Sequence, residues 1–216
     1  MKRCLIIFAK EPQKGKVKTR LKSCLSDTQC LNLYKAFLKD TFDLAKSIKC
    51  DLKVLAYDLG CSSPYYLKKA GRSFQLYEQQ GRSLGQKMHN AFKSIKGGDF
   101  KLVIIGSDSP TLPAIFIEDA FKRLDNNDLV LGPTFDGGYY LVGLKKPCLA
   151  IFKGIKWSSS YVLDGTLRNA RKLGKKISIL KSWYDIDEPR DMAYLKKDLK
   201  DKKKNIAQWT RRFLKI

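Results

Sequence analysis

The sequence predicts an α/β domain: a mostly parallel, twisted sheet with helices on both faces and a small antiparallel insertion. Three observations lead there. Short apolar runs of strand length alternate along the chain with stretches of helical periodicity, the signature of βα units. One run, Leu102-Val103-Ile104-Ile105, is apolar on both faces, as a strand covered from two sides must be, and Gly106, Pro110 and Pro113 keep it from extending. The 216 residues, 44% hydrophobic, are enough for one full core, and neither an internal repeat nor a linker marks a second domain.

In chain order, residues 3–9 read as a first buried strand and 10–22 as a glycine-containing basic loop. Asp27 is placed to cap a long helix. Its Leu31, Leu33, Tyr34, Phe37, Leu38, Phe42, Leu44, Ala45 and Ile48 recur at helical spacing, so its aromatic rings belong to the core. A strand over 51–57, a Gly/Ser/Pro turn, a short helix near 65–70 and a strand around 74–77 repeat the βα pattern. The loop at 80–85 opens a helix to about residue 95. After the strand at 102–105 come a helix over 114–124 and a strand over 128–132. The turn Asp136-Gly137-Gly138 then precedes an apolar strand, which predicts the antiparallel insertion. A helix over 161–173, a late strand over 177–180 and a helix with Pro189 in its first turn complete a domain of residues 1–200.

Charge is the anomaly of the composition: 43 Lys and Arg against 21 Asp and Glu give a net +22. Such a surface suits nucleic acid, an anionic membrane or a phosphate-rich small substrate. The excess is diffuse, apart from residues 196–216, which hold nine basic and two acidic side chains. No zinc finger, basic zipper or RNA-binding sheet motif accompanies it, so nucleic acid is not the expected partner. Cys4, Cys24, Cys30, Cys50, Cys61 and Cys148 form no CxxC pair and no histidine cluster joins them, which points to free thiols in a reducing compartment. The apolar run at 4–9 is too short for a signal-peptide core and no later segment could span a bilayer, so the expectation is a cytoplasmic protein.

Two segments carry candidate chemistry. Asp108 stands just beyond the carboxyl end of the strand at 102–105, where open α/β sheets bind ligands, and a carboxylate there can hold a hard cation against phosphate oxygens. The alternative is that Asp108 and Ser109 shape a turn and cap the helix near Ala114. The loop at 10–22 carries Lys10, Lys14, Lys16, Lys18, Arg20 and Lys22 against the single acid Glu11. That charge suits a polyphosphate, with Gly15 letting backbone N–H groups approach the phosphate oxygens. The alternative is a solvated surface loop.

Several motifs run in one order over about nine tenths of the chain, each weak alone. They are Phe8-Ala9-Lys10-Glu11-Pro12 with Gly15-Lys16-Val17-Lys18-Thr19-Arg20-Leu21, then 81–88, 106–113, 132–144, Trp157-Ser158 and 185–192. Together they resemble the GT-A nucleotide-diphospho-sugar transferase superfamily. Within it they are most similar to the bacterial family named for arsenosugar-biosynthesis glycosyltransferases, related to phospholactate and molybdenum-cofactor guanylyltransferases. The resemblance implies a Rossmann-like GT-A fold. It assigns Lys18 and Arg20 to the phosphates, and Asp108 with Asp187 to Mg²⁺ or Mn²⁺, Asp185 being the weaker candidate and a helix cap the alternative for Asp187. Ala9, Lys10 and Gly15 would line the nucleotide site. Arg82 and Gly85 would do so too, unless 81–85 is only a connector. Asp136, Gly137 and Gly138 would border the acceptor pocket, against the alternative of an ordinary tight turn. Trp157 would flank it or be buried, and the single histidine, His89, receives no role.

The expected function is a metal-dependent transferase acting on a nucleotide-activated donor and a small-molecule acceptor, with nucleotidyl transfer ahead of glycosyl transfer. The basic loop suits a triphosphate, and Ser107-Asp108-Ser109 lacks the paired D-x-D common in glycosyltransferases. A non-catalytic nucleic-acid-binding protein would explain the charge but not the ordered acidic and glycine motifs. Residues 201–216 read as a basic amphipathic helix: from Asn205 onward, Ile206, Trp209, Phe213 and Ile216 share one helical face. That stripe would dock on the domain, or Trp209 and Phe213 would enter an anionic membrane surface beside Lys202, Lys203, Lys204, Arg211 and Arg212.

Overall fold

The computed structural model describes residues 1–58, 66–67, 72–201 and 206–216. Its strands are β1 (Lys2–Lys10), β2 (Leu52–Asp58), β3 (Gln75–Glu78), β4 (Phe100–Ile105), β5 (Leu129–Pro133), β6 (Tyr139–Leu144) and β7 (Ile177–Ile179). They form one sheet in the order β3-β2-β1-β4-β6-β5-β7. All neighbours are parallel except β6, which runs antiparallel to both β4 and β5. In the centre Ile6 of β1 lies between Val54 of β2 and Ile104 of β4. Cys4, Leu5, Ile6 and Ile7 are wholly buried, which is why the run has no polar face.

The helices among the described residues are α1 (Asp27–Ser47), α2 (Leu84–Ser94), α3 (Ala114–Arg123), α4 (Val162–Lys172), α5 (Asp191–Lys200) and α6 (Gln208–Leu214), of which α1 to α4 cover the sheet. Leu38, Phe42 and Ala45 of α1 and Ile117, Ala120 and Phe121 of α3 pack on one face of the sheet. Met88, Ala91 and Phe92 of α2 and Leu167 and Ala170 of α4 pack on the other. A third core lies outside α1, where Leu33 and Phe37 meet Tyr184, Ile186, Met192, Leu195 and Leu199. The outer turns of α1 therefore carry the segment that leads into α5. None of the described helices is long and apolar enough to cross a membrane.

Most expected elements stand within a residue or two of their observed bounds, and the differences have local causes. Ser26, not Asp27, caps α1: its side chain accepts from Gln29 N while Gln29 reaches back to Ser26 N, a reciprocal capping box. Asp27 is the first helical residue. The helix expected near 65–70 falls largely outside the described residues, as does Cys61; the five described cysteines are free thiols.

The C-terminal helix docks on α1, and its buried face matches the expected apolar stripe only in part: Phe213 packs against the third core, but the buried helical residues are Thr210 and Arg211. Asn205 lies outside the described residues, and α6 begins at Gln208. Asp40, buried in α1, accepts from Trp209 N and Thr210 N, each at 2.9 Å, and from the Thr210 hydroxyl. The Arg211 guanidinium is buried and donates to the carbonyls of Leu199 and Asp201, capping the end of α5. Thr210 and Arg211 thus take the inner face, and Ile216 is exposed. Trp209 lies half-buried, donating from Nε1 to Asp43 at 2.8 Å with the Lys39 amine 4.1 Å from its ring centroid.

Candidate active site

The chain leaves β1 for β2 in one direction, while β4 flanks β1 on the other side. The loops after β1 and β4 therefore part company at the carboxyl edge of the sheet, leaving a crevice of the kind that holds ligands in open α/β folds. Lys18 closes that crevice. It adopts a left-handed conformation (φ 49°) where the chain enters the short 3-10 helix Thr19–Ser23, an arrangement costing about 1–2 kcal/mol for a residue with a Cβ. Its side chain turns inward over the Phe37 ring and is 3% exposed. The amine pairs with Asp108 Oδ1, with Asp187 Oδ1 at 3.1 Å, and donates to the Ile186 carbonyl at 2.7 Å. Burial opposes the charge, but the two carboxylates outweigh it and hold the Lys18 amine above its ordinary pKa.

Buried hydrogen bonds fix the frame around this cluster. Ile186 N donates to the Asp108 carbonyl at 2.9 Å, so the segment holding Asp187 is pinned by its backbone to the residue it faces. Tyr184 sends its hydroxyl between Thr111 Oγ1, 2.6 Å away, and Asp198 of α5. It thereby joins the loop after β4 to the helix after Asp187. On the opposite side, Tyr34 of α1 accepts from Lys10 N at 2.9 Å and lies 3.1 Å from Ser107 Oγ, tying the end of β1 to the end of β4. Burial, then the nearby Asp108 carboxylate, pushes the Tyr34 phenol up, so it stays protonated. Gln79 adds a third link, donating to the carbonyls of Ala9 at 3.4 Å and Ala56 at 2.9 Å.

Neither capping alternative describes the two acids. Pro113 stands at the N-terminus of α3 with no side-chain cap bond, so Asp108 and Ser109 do not cap it. In the turn before α5, Asp191 accepts from Asp187 N and Glu188 N, which frees the Asp187 carboxylate for Lys18. Ala9 is buried at the end of β1, Lys10 is exposed there, and Gly15 takes a left-handed turn (φ 78°) between the exposed Lys14 and Lys16. Arg20 is exposed two residues beyond Lys18, whereas Lys22 is committed to Asp27 at 2.9 Å. Glu11, the one acid of the loop, is buried and accepts from Tyr66 N and Leu67 N.

Arg82 is exposed on the loop after β3. Gly85 and Trp157 meet each other: a Cβ at Gly85 would stand 2.8 Å from Trp157 Cζ2 and 2.6 Å from Phe152 Cβ. This glycine is a packing contact between α2 and the segment before α4, and Trp157 is half-buried against it. Asp136 accepts from Gly138 N at 3.0 Å and from the Thr134 hydroxyl, a side-chain-braced turn. Gly137 (φ 89°) admits no side chain, since a Cβ would meet the Ser160 carbonyl at 2.1 Å. Sequence reading passed over Tyr34 and Tyr184, placing the first in the core and giving the second no role. The spacing of aromatic residues carries no mark of where a hydroxyl points.

Asp185 completes the electrostatics. Burial, then repulsion from Asp136, Asp187 and Asp108, pushes its carboxyl up to about 7. Four acids thus feel one another at this edge, with Lys18 the cation buried among them. The described residues hold no ready-made cluster of three or more metal-ligating side chains. Asp108 and Asp187, 43% and 42% exposed, still offer hard oxygen donors. That set fits Mg²⁺, which binds through one or two carboxylates and completes its shell with phosphate and water.

A family model described as "Uncharacterized protein conserved in bacteria (DUF2064)" matches residues 41–159, more than half of the chain. The chain belongs to the DUF2064 family. The 2-phospho-L-lactate guanylyltransferase of Methanocaldococcus jannaschii is 27% identical to it over 180 residues, 82% of this chain and 75% of that protein. A Desulfovibrio desulfuricans G20 structure assigned as a nucleotide-diphospho-sugar transferase superposes with a TM-score of 0.90 at 29% identity. That match covers 99% of this chain and 94% of the other. The 4-diphosphocytidyl-2C-methyl-D-erythritol synthase of Anaerococcus prevotii shares the fold alone, with a TM-score of 0.63 at 11% identity over 92% and 96% of the two chains. This DUF2064 member is a transferase with a Rossmann-like, GT-A-like fold.

Proposed function

We propose that this transferase moves a nucleotidyl group from a nucleoside triphosphate to a small acceptor bearing a phosphate or hydroxyl. The observation that carries the reading is the convergence of Asp108 and Asp187, from two separate segments, on one cation position beside a basic loop. The guanylyltransferase relative supports it. Transfer of a sugar from a nucleotide sugar is the second reading, favoured by the class to which the D. desulfuricans structure is assigned.

In the favoured reaction an acceptor oxygen attacks the α-phosphorus in line. The bond to the oxygen bridging the α- and β-phosphorus atoms breaks, and pyrophosphate leaves. Asp108 and Asp187 would hold Mg²⁺ or Mn²⁺, which when bound neutralises charge on the phosphates. Lys10, Lys14, Lys16 and Arg20 attract the polyphosphate, while the Gly15 turn lets its backbone come close. Asp136, with Gly137 and Gly138, borders the acceptor side, and Tyr34 and Tyr184 keep the two halves of the crevice in register.

Thermal melts with nucleoside triphosphates and nucleotide sugars, each with and without Mg²⁺, test the reading. A ligand bound at a hundred times its Kd adds about 2.7 kcal/mol to stability, a readily measured rise. Mg²⁺-dependent stabilisation by a triphosphate supports nucleotidyl transfer. Stabilisation by nucleotide sugars alone would replace it with the glycosyl reading, and no response to either class would sink both.

A further inference from the structure

We infer that Lys18 is the resident cation of the metal position, and that a divalent ion enters only by displacing its amine from between Asp108 and Asp187. The inference rests on the reading of that pair as the metal site, and it concerns how the site is gated. Lys18 is not placed as a lysine that waits for phosphate. Its side chain is 3% exposed, whereas the carboxylates it joins are each more than two-fifths exposed. The amine directs its bonds to three oxygens of the site, Asp108 Oδ1, Asp187 Oδ1 and the Ile186 carbonyl. Two of these belong to the atoms a cation would use. An ammonium and a divalent ion cannot both sit between Asp108 Oδ1 and Asp187 Oδ1, because each needs those lone pairs and the two charges repel at contact distance.

The local backbone suits such an exchange. Lys18 is held in a left-handed conformation between the Gly15 turn and the 3-10 helix, with exposed Lys14, Lys16 and Arg20 in the same stretch of chain. A polyphosphate drawn to those cations offers Lys18 a replacement partner as its amine leaves the acids. Polyphosphate and metal then strengthen each other's binding, and linkage makes that effect reciprocal. The free protein keeps its acid pair half-neutralised and bonded to the amine, so a bare divalent ion binds poorly.

The test is the affinity of the full chain for Mn²⁺, read by electron paramagnetic resonance of the free ion, with no substrate and no turnover. Lys18→Met keeps the stem over Phe37 and removes the charge; Lys18→Gln is the second variant if the first does not fold, as judged by circular dichroism. A native-like variant should bind Mn²⁺ at least tenfold more tightly than the wild type, and adding Asp187→Asn should abolish the gain. Tripolyphosphate, corrected for the Mn²⁺ it chelates itself, should raise metal affinity in the wild type more than in the variant. Unchanged or weaker Mn²⁺ binding in a folded variant, where the wild type does bind the ion, would overturn the exchange and leave the metal site standing. Absence of Mn²⁺ binding in every protein, even with tripolyphosphate, would overturn the metal site and the exchange together.

Discussion

Replacing Tyr184 by phenylalanine removes one oxygen atom and leaves the ring stacked between Trp183 and Tyr194, whose centroids lie 5.2 and 5.6 Å away. That oxygen joins Thr111, which is wholly buried, to Asp198. Burial, and then Asp198, raises the phenol pKa, so the hydroxyl remains a donor to the carboxylate at any working pH. The neutral bond is worth about 1 kcal/mol and the bond to the carboxylate about 1.5–3 kcal/mol. Asp198 has further interactions, which reduce its loss, so the variant should be destabilised by about 2–3 kcal/mol. For a domain of this size that lowers the melting temperature by roughly 5–10 °C. Thermal and urea unfolding measure it, and Thr111→Val in both backgrounds gives the coupling between the two hydroxyls. A fall under about 2 °C, with no coupling to Thr111, would show that Tyr184 does not brace the segment holding Asp187.

Other predictions follow from the same geometry. Arg20→Ala should weaken triphosphate binding by about tenfold while Lys22→Ala changes it less than twofold, since Lys22 is already spent on Asp27; equal effects would mean that diffuse charge, not a defined cradle, attracts the ligand. Asp185 keeps its proton in the native state up to about pH 7, whereas the unfolded chain releases it near 3.8. The stability from that proton is complete below the unfolded value and is lost as pH rises through about 7. Metal-free melts should therefore show the wild type losing ground to Asp185→Asn between pH 4 and pH 8, and parallel curves would refute the raised pKa that burial and the neighbouring acids impose. Asp40→Ala strands Trp209 N, Thr210 N and the Thr210 hydroxyl, so hydrogen exchange at those amides should quicken by at least tenfold; unchanged protection would place the hold on α6 elsewhere.

The strand at 102–105 and the acids beyond it were legible because burial on both faces and a carboxylate after a strand end are local facts. The antiparallel strand was legible as an element, but not its place between β4 and β5, which depends on pairing across the sheet. The Ser26-to-Gln29 capping box was written in the sequence and was masked by the acid at Asp27, an equally good cap by residue type. The resemblance assigns Lys18 to the phosphates because motifs record residue identity. That its chain turns inward at a positive φ, onto the acids instead of the loop's exterior, is a property of the fold. Tyr34 and Tyr184 escaped for the converse reason: their rings are core residues, as periodicity says, and only the partners of their hydroxyls give them a role at the site. In the tail, apolar spacing pointed to Trp209 and Phe213. Phe213 does pack on the third core, but Asp40 and the carbonyls at the end of α5 bury Thr210 and Arg211 beside it, which apolar spacing does not mark.

We assign Asp108 and Asp187 to one metal–nucleotide site. It is tested most directly by the Mg²⁺-dependent gain in triphosphate affinity, measured by calorimetry for the wild type, Asp108→Asn and Asp187→Asn. The wild type should bind its triphosphate at least tenfold more tightly with Mg²⁺ than with EDTA, and each variant should lose that gain while retaining its fold and its weak metal-free binding. A gain of equal size in all three proteins would contradict the claim.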